Sequence, residues 1–341
     1  MNLLSLSQLI GLSAMEGRVM KLSRGVVALG AVCLLATGGI LNRNASQEQQ
    51  QATFVTATVG GQATATVEAQ ATATAQAQQA TNAANGNGDG SGSSKLVITN
   101  NQLTPGTGQR LFVFVNNLKQ TIWVGGGTSP GINPDDGLPY PPITTTGWVL
   151  PAGNSVSTLV PNHWDGRFWG RTGCDASGAN CATGNCPGGL QCTAFAQPPA
   201  TLAEFNLEGE RKPQGDTYDI SLVDGSNVPL YINTIGGTTP DPMSANGCTS
   251  AGCTSDVQCP SLLQIPGGCK SACLAFGTDQ YCCQGTYSDA QKCNPALWPV
   301  NYAQPFKTAE SFAYSYAYDD ATSTLTCKGS CGYRITFGVS S

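Results

Sequence analysis

The sequence predicts a mainly β domain, a flattened sandwich or barrel, over residues 95–341. Only 11% of the residues in the chain are charged, whereas 42 are glycine and 20 are proline. This mix disfavours long helices and favours short strands joined by tight turns. Short runs of β-branched, apolar and aromatic residues also recur through the region. Finally, the region holds 14 of the 15 cysteines, which is typical of domains stabilised by disulfides.

The predicted strands are short and closely spaced, as in a sandwich or flattened barrel. They cover Leu96–Thr99, Arg110–Val115, Thr121–Val124, Gly147–Leu150, Ser155–Val160, Gly166–Arg171, Tyr218–Asp224 and Tyr333–Phe337. The glycine triplet that follows Val124 predicts a turn at the end of its strand.

Residues 240–300 have a different character, because cysteines are dense there and periodic apolar runs are rare. Helical patterns are brief, at Ser271–Phe276 and, just beyond, at Ala303–Ser311. We expect a loop-rich lobe that is held together by bridges instead of a core of its own. A cleft between such a lobe and the sandwich is a natural ligand site.

Residues 1–44 are predicted to be a signal peptide or a signal anchor, because the basic segment Met20–Arg24 precedes the apolar run Gly25–Leu41. Met20 is an alternative start of the protein. Residues 45–94 are rich in Ala, Thr and Gln and are predicted to be a disordered linker. Whether or not the signal segment is cleaved, we expect it to place the cysteine-rich domain outside the cytosol. We therefore expect a secreted, extracellular protein that contacts a membrane only if the N-terminal segment stays uncleaved.

Charge and cysteine spacing exclude several classes of function. From Lys95 onward there are 12 lysines and arginines and 17 aspartates and glutamates, a net charge of −5 without a basic run, so we expect no nucleic-acid partner. No cysteine pair has C-x-x-C spacing and His163 is the only histidine, so we expect no metal site and no cofactor. His163 also lacks the context of a serine-hydrolase triad.

Carboxylates remain as the candidate catalytic groups. Glu204, Asp219 and Asp224 lie within 21 residues of one another. Glycosidic bonds are typically cleaved by two carboxyl groups, and crowding raises the pKa of at least one of them, so that it can donate a proton near neutral pH. The alternative is structural, since aspartates near turns often accept hydrogen bonds from backbone amides. Four neighbouring charged residues are expected to be solvated surface: Glu208, Glu210, Arg211 and Lys212.

Several segments together resemble the thaumatin-like protein family. In chain order they are Gly166–Cys174, Thr183–Cys192, Pro198–Phe205, Tyr218–Gly225, Pro266–Cys269, Gln280–Cys283, Ala313–Tyr316 and Tyr333–Phe337. The resemblance covers essentially all of residues 95–341 and implies a thaumatin-like flattened β-sandwich or barrel with a disulfide-rich lobe of loops and short helices.

The resemblance also implies a charged set that lines a cleft between the sandwich and the lobe. By motif this Arg-Glu-Asp-Asp-Asp set falls on Arg167, Glu204, Asp219, Asp224 and Asp319, with Arg171 and Asp320 as alternatives for the first and last positions. In this interpretation Glu204 is the general acid and Asp219 or Asp224 is the base or nucleophile. Arg167 and Asp319 would bind substrate. Four aromatic residues either stack on sugar rings or belong to the core: Phe205, Tyr314, Tyr316 and Tyr318.

The resemblance further implies a set of disulfides. The implied bridges are Cys174–Cys181, Cys186–Cys192, Cys248–Cys327, Cys259–Cys269, Cys273–Cys282 and Cys283–Cys293. Cys253–Cys331 is our own addition, because Glu310 occupies the position of a usual cysteine. Leu118 and Gly338 stand where the family usually has one further bridge.

For function, the resemblance implies a secreted, monomeric protein that binds cell-wall β-1,3-glucan in an acidic cleft and hydrolyses it as an endo-β-1,3-glucanase. Two other functions are compatible with the same residues. One is a glucan-binding or antifungal defence protein without catalysis, and the other is an inhibitor of foreign enzymes.

Overall fold

The computed structural model describes residues 103–208, 215–241, 243 and 246–340. The predicted signal segment 1–44, the predicted linker 45–94 and the predicted strand Leu96–Thr99 lie outside the described residues. Within the described residues, no helix combines the length and the apolar character that crossing a membrane requires.

Two β-sheets form the main body. The smaller sheet contains β1 (Gln109–Asn116), β4 (Ser155–Pro161), β8 (Leu230–Ile235) and β14 (Gly332–Phe337), in the order β4–β1–β14–β8. The larger sheet contains β2 (Ile122–Thr128), β3 (Gly147–Leu150), β5 (Asp165–Arg171), β6 (Leu202–Asn206), β7 (Asp216–Ser221) and β13 (Leu325–Cys327), in the order β13–β7–β6–β5–β2–β3. Among the strand pairings that the described residues form in these two sheets, only β1–β14 is parallel. The predicted mainly β class is therefore confirmed.

Aromatic side chains from both sheets fill the space between them. The ring of Phe112 on β1 lies 5.4 Å from that of Phe168 on β5 and 4.9 Å from that of Phe205 on β6, measured between centroids. Tyr333 on β14 packs on the rings of Phe112 and Phe205, and all four side chains are fully buried. Phe205 is thus a core residue and not a sugar-stacking one. Because side chains alternate along a strand, the neighbours of Phe168 and Phe205 point to the opposite face of the larger sheet.

The structure corrects the predicted strand boundaries in two places. The glycines Gly125–Gly127 continue β2 and do not form a turn. Side chains at these positions would collide with rings that cross them, since a Cβ at Gly125 would lie 2.4 Å from Trp169 and one at Gly126 would lie 2.6 Å from Phe168. In addition, β7 ends at Ser221, so Asp224 belongs to the following turn.

The lobe consists of very short elements. These are β9 (Cys248–Thr249), β10 (Gly252–Cys253), β11 (Gln264–Ile265), β12 (Gly268–Cys269), α1 (Ala272–Phe276), α2 (Asp279–Cys282), α3 (Gln304–Ala309) and α4 (Asp320–Ser323), with single 3₁₀ turns at Gly285–Tyr287 and Pro295–Leu297. Both predicted helices are present as α1 and α3. Ser271 caps α1 by accepting a hydrogen bond from the Leu274 amide.

Seven disulfides lie in the described residues, and five of them pair as the resemblance implied. The two remaining predicted pairs, Cys248–Cys327 and Cys253–Cys331, are wrong. The structure instead forms Cys248–Cys253 and Cys327–Cys331.

Strand geometry explains the corrected pairing. Cys248 and Cys253 are directly opposite each other in the β9–β10 hairpin, and the Cys248 sulfur lies 3.6 Å from the Ser340 hydroxyl near the C-terminus. The sulfurs of Cys327 and Cys331 instead face Gly237, which follows the far end of β8. The pair Cys248–Cys253 and the pair Cys327–Cys331 therefore lie near opposite ends of β8, so each cysteine bonds to its close sequence neighbour.

Peptide mapping without reduction should detect this pairing. Trypsin cleaves after Lys328, which separates Cys327 from Cys331, so the structure predicts a disulfide-linked pair of peptides, 308–328 and 329–334. A link between peptide 308–328 and the peptide that carries Cys248 would contradict the structure. The same digest after reduction is the control, because the link between the two peptides must then disappear.

Candidate functional site

A row of charged side chains crosses the face of the larger sheet that points away from the aromatic core. Arg167 on β5 is the register partner of Glu204 on β6, and Glu204 is the register partner of Asp219 on β7. Register partners on adjacent strands have Cβ atoms about 4.5–5.5 Å apart and lie on the same face. We call these three residues the charged row.

The polar atoms of the charged row are buried but incompletely paired. Arg167, Glu204 and Asp219 are 5%, 1% and 2% exposed. The Arg167 Nε atom lies 3.3 Å from Glu204 Oε1, which makes an ion pair without hydrogen-bond alignment. Among the described residues, Arg167 Nε, both oxygens of Glu204 and Oδ1 of Asp219 have no hydrogen-bond partner. Buried polar groups are nearly always paired, so such a concentration points to a ligand site.

Burial shifts the protonation of these carboxyls towards the neutral form. It raises the pKa of Glu204 from 4.5 to about 7, against the lowering effect of the Arg167 guanidinium and with a further rise from the Asp224 charge. The pKa of Asp219 is also well above its usual value, through burial and then through the charge of Glu204. A single guanidinium therefore lies among carboxyls that are easily protonated.

Asp224 approaches the charged row from the turn after β7. The Ala200 amide donates to the Asp224 carbonyl, and the Gly225 amide donates to the Leu222 carbonyl. Gly225 has a φ of 82°, and a Cβ there would lie 2.5 Å from the Cys269 carbonyl oxygen, so the turn requires glycine. Asp224 is half-buried as a whole residue, and burial of its carboxyl raises its pKa while the charge of Arg167 lowers it.

Asp319 and Asp320, the two candidates for the last position of the charged set, have different hydrogen-bond partners in the structure. Asp319 accepts hydrogen bonds from Lys307 Nζ at 2.9 Å and from the Ser315 hydroxyl at 2.8 Å, so its carboxylate supports the loop. Asp320 accepts from the buried Tyr314 hydroxyl at 2.8 Å, and its charge contributes to the raised pKa of Asp219. Asp320 thus acts on the charged row, whereas Asp319 is engaged by Lys307.

Arg171, the alternative arginine, is a structural residue. It is fully buried, and its guanidinium donates to the carbonyl oxygens of Gly178, Gly189 and Leu190 at 2.8–2.9 Å. Burial lowers its pKa to about 10. It holds the loop that connects β5 to β6.

Asp165 is a member of this environment that sequence reasoning missed. It lies two residues before Arg167 on β5, which places it on the same face of the sheet, and it accepts a hydrogen bond from Asn206 Nδ2 at 2.7 Å. Its charge raises the pKa of both Glu204 and Asp219. Alternation along Asp165–Arg171 was the signal that could have identified it.

Glu208 was expected to be a solvated surface residue, but the structure buries it. It is 1% exposed, accepts a hydrogen bond from Asn133 Nδ2 at 2.6 Å and lies 3.2 Å from His163 Nδ1. The other three members of that cluster lie outside the described residues. The described part of the chain contains no group of three His, Cys, Asp or Glu side chains arranged to hold a metal ion.

Comparisons with known proteins identify related chains. The model of the thaumatin family matches residues 116–339. Pathogenesis-related thaumatin-like protein 3.5 of Cryptomeria japonica is 44% identical over 245 residues, covering 69% of this chain and 92% of that protein. Pathogenesis-related protein 5 of Arabidopsis thaliana is 44% identical over 236 residues, covering 66% and 89%. A Prunus avium protein named glucan endo-1,3-beta-glucosidase is 42% identical over 240 residues, covering 66% and 88%.

The raised pKa of Glu204 predicts a pH dependence of stability. Between pH 4.5 and about 7 the unfolded chain releases a proton that the folded protein keeps. The stability contributed by the protonated carboxyl is therefore complete below pH 4.5 and is lost as the pH rises to about 7. The loss should be on the order of 3 kcal/mol. Denaturant unfolding across this range should show a smaller decrease for Glu204→Gln than for the parent, and parallel curves would contradict the assignment.

Proposed function

Because the chain belongs to the thaumatin family, we propose that its charged row lies in an acidic cleft that binds and hydrolyses β-1,3-glucan. The observation that carries the proposal is the set of buried atoms without hydrogen-bond partners on Arg167, Glu204 and Asp219. These atoms can pair with sugar hydroxyls and with a glycosidic oxygen. A 42% identical relative that is named glucan endo-1,3-beta-glucosidase supports the choice of polymer.

In this proposal Glu204 is the general acid. A carboxyl with a pKa of about 7 is substantially protonated at neutral pH, so it can donate its proton to the glycosidic oxygen as the C1–O bond breaks. Asp224 is half-buried and therefore more accessible to water than Asp219. We assign Asp224 as the carboxylate that activates water or attacks C1. Its charge and that of Asp165 also raise the pKa of Glu204, whereas Asp219 is a second buried carboxyl beside the acid.

Arg167 has a positioning role. Its guanidinium favours the ionised form of each of the three carboxyls Glu204, Asp219 and Asp224. It therefore limits how far their pKa values rise, and its unpaired Nε–H is available to a sugar hydroxyl or to a carboxylate that becomes ionised during the reaction.

A second candidate function is glucan binding without cleavage. The observation that favours it is the near-complete burial of Glu204 and Asp219, which are 1% and 2% exposed. A glycosidic oxygen can reach Glu204 only if neighbouring groups move. The half-buried Asp224, in contrast, can contact a polymer directly.

We also propose that the domain acts outside the cytosol. The described residues contain seven disulfides, and such bridges persist in oxidising compartments. The signal segment 1–44 and the linker 45–94 remain predictions from the sequence.

Replacement of Glu204 by Gln tests catalysis against binding. Release of reducing sugar from linear β-1,3-glucan should fall by at least about 10²-fold, because the general acid is lost. Glucan pull-down should persist. Glu208→Gln is the matched control, since Glu208 is equally buried beyond the end of the same strand but is bonded to Asn133, and its activity should equal that of the parent. If the parent retains glucan without releasing sugar, the second function is correct.

The same assignment predicts the alkaline limb of the pH–rate profile. Because Glu204 must be protonated and its pKa is about 7, kcat/KM should decline as the pH rises through about 7. Initial rates measured in constant ionic strength buffers between about pH 4 and 9 would test this. A rate that stays constant well above pH 7 would exclude Glu204 as the acid.

A further inference from the structure

The residue that covers Arg167, at one end of the charged row, comes from the long connection between β5 and β6. The ring of Phe195 lies over the Arg167 guanidinium, with 4.1 Å between the ring centroid and Arg167 Cζ. A cation over an aromatic face at this distance is an attractive contact. Phe195 is only half-buried, so part of its ring stays accessible to solvent after contact with Arg167.

The adjoining strand is shaped to receive this ring. Gly127 on β2 is the register partner of Arg167, which extends the line of the charged row by one strand. A Cβ at Gly127 would lie 2.8 Å from the Phe195 ring, so only glycine leaves room for it. The ring therefore caps the Arg167 end of the row, while Asp320 and Tyr314 lie at the Asp219 end.

Backbone hydrogen bonds hold Phe195 in place from both sides. The Thr193 amide donates to the Pro187 carbonyl at 2.9 Å, and the Gln197 amide donates to the Asn185 carbonyl at 2.6 Å. Phe195 also packs against the small apolar cluster that contains Trp169 and the Cys186–Cys192 bridge. A half-exposed aromatic ring that is anchored in this way has a fixed orientation, which is what a stacking surface for a rigid ligand needs.

We propose that Phe195 is a specificity-determining residue of the site, whose ring covers Arg167 on one side and stacks against a pyranose ring of the substrate. This inference rests on the proposed glucan site and adds the residue that recognises the apolar face of the sugar. Pyranose rings carry axial C–H groups on their faces and hydroxyl groups at their edges. An aromatic ring can pack on such a face, while neighbouring carboxylates bind the hydroxyl groups. Phe195 also shields the Arg167 guanidinium from solvent on the side that it covers.

The first test follows binding through the kinetics of glucan hydrolysis. Phe195→Ala should raise KM about tenfold and leave kcat within about twofold, because the stacking contact is made equally in the ground state and the transition state. Phe195→Tyr keeps the ring face and should restore KM. Phe276→Ala is the control, because Phe276 is an exposed ring in the lobe that contacts Tyr281 and Tyr302. An unchanged KM in Phe195→Ala would overturn the proposal.

The second test does not depend on hydrolysis, so it separates failure of this inference from failure of the proposed function. Labelling with phenylglyoxal, followed by peptide mass spectrometry, measures how accessible each arginine is. Arg167 should react at least severalfold faster in Phe195→Ala than in the parent or in Phe276→Ala, while the fully buried Arg171 should stay unreactive in all three proteins. An unchanged labelling rate at Arg167 would show that Phe195 does not cover it, whatever the protein does to glucan.

Discussion

The alternation of side chains along β5, β6 and β7 is the constraint on which the site depends. Phe168 and Phe205 point into the sandwich, so their chain neighbours Arg167 and Glu204 must point out of the opposite face. A shift of one residue in the register would bury the charges in the aromatic core and expose the rings. The packing that stabilises the fold therefore also fixes which charged groups meet and in what order.

Charge balance then determines the chemistry of this face. One guanidinium cannot neutralise several carboxyls that have lost their water, so the protein keeps protons on them, and the pKa of Glu204 reaches about 7. The second aspartate of the Asp319–Asp320 pair contributes to this field, while the first is used by Lys307 to hold the loop. Two adjacent aspartates thus have different partners, Lys307 for Asp319 and Tyr314 for Asp320.

Much of this arrangement could be predicted from the sequence. Short runs of apolar, β-branched and aromatic residues identified β1, β4, β5 and β14, and motif resemblance identified the family and the residues Arg167, Glu204 and Asp219. What could not be predicted depended on contacts between distant segments. The glycines of β2 form a strand because three aromatic rings cross them, and Cys248 pairs with Cys253 because both lie opposite each other in one hairpin. The stacking of Phe195 on Arg167 likewise needs the folded loop.

The most direct measurement is the titration of the Glu204 carboxyl itself by ¹³C NMR, with the side-chain carboxyl carbons of glutamate labelled. The chain has seven glutamates, and the Glu204→Gln variant assigns the signal by its disappearance. We expect a midpoint of about 7, because the buried carboxyl of Glu204 holds its proton into the neutral range. A midpoint near 4.5 would mean that water or other groups solvate Glu204, and the charged row could not then supply the acid.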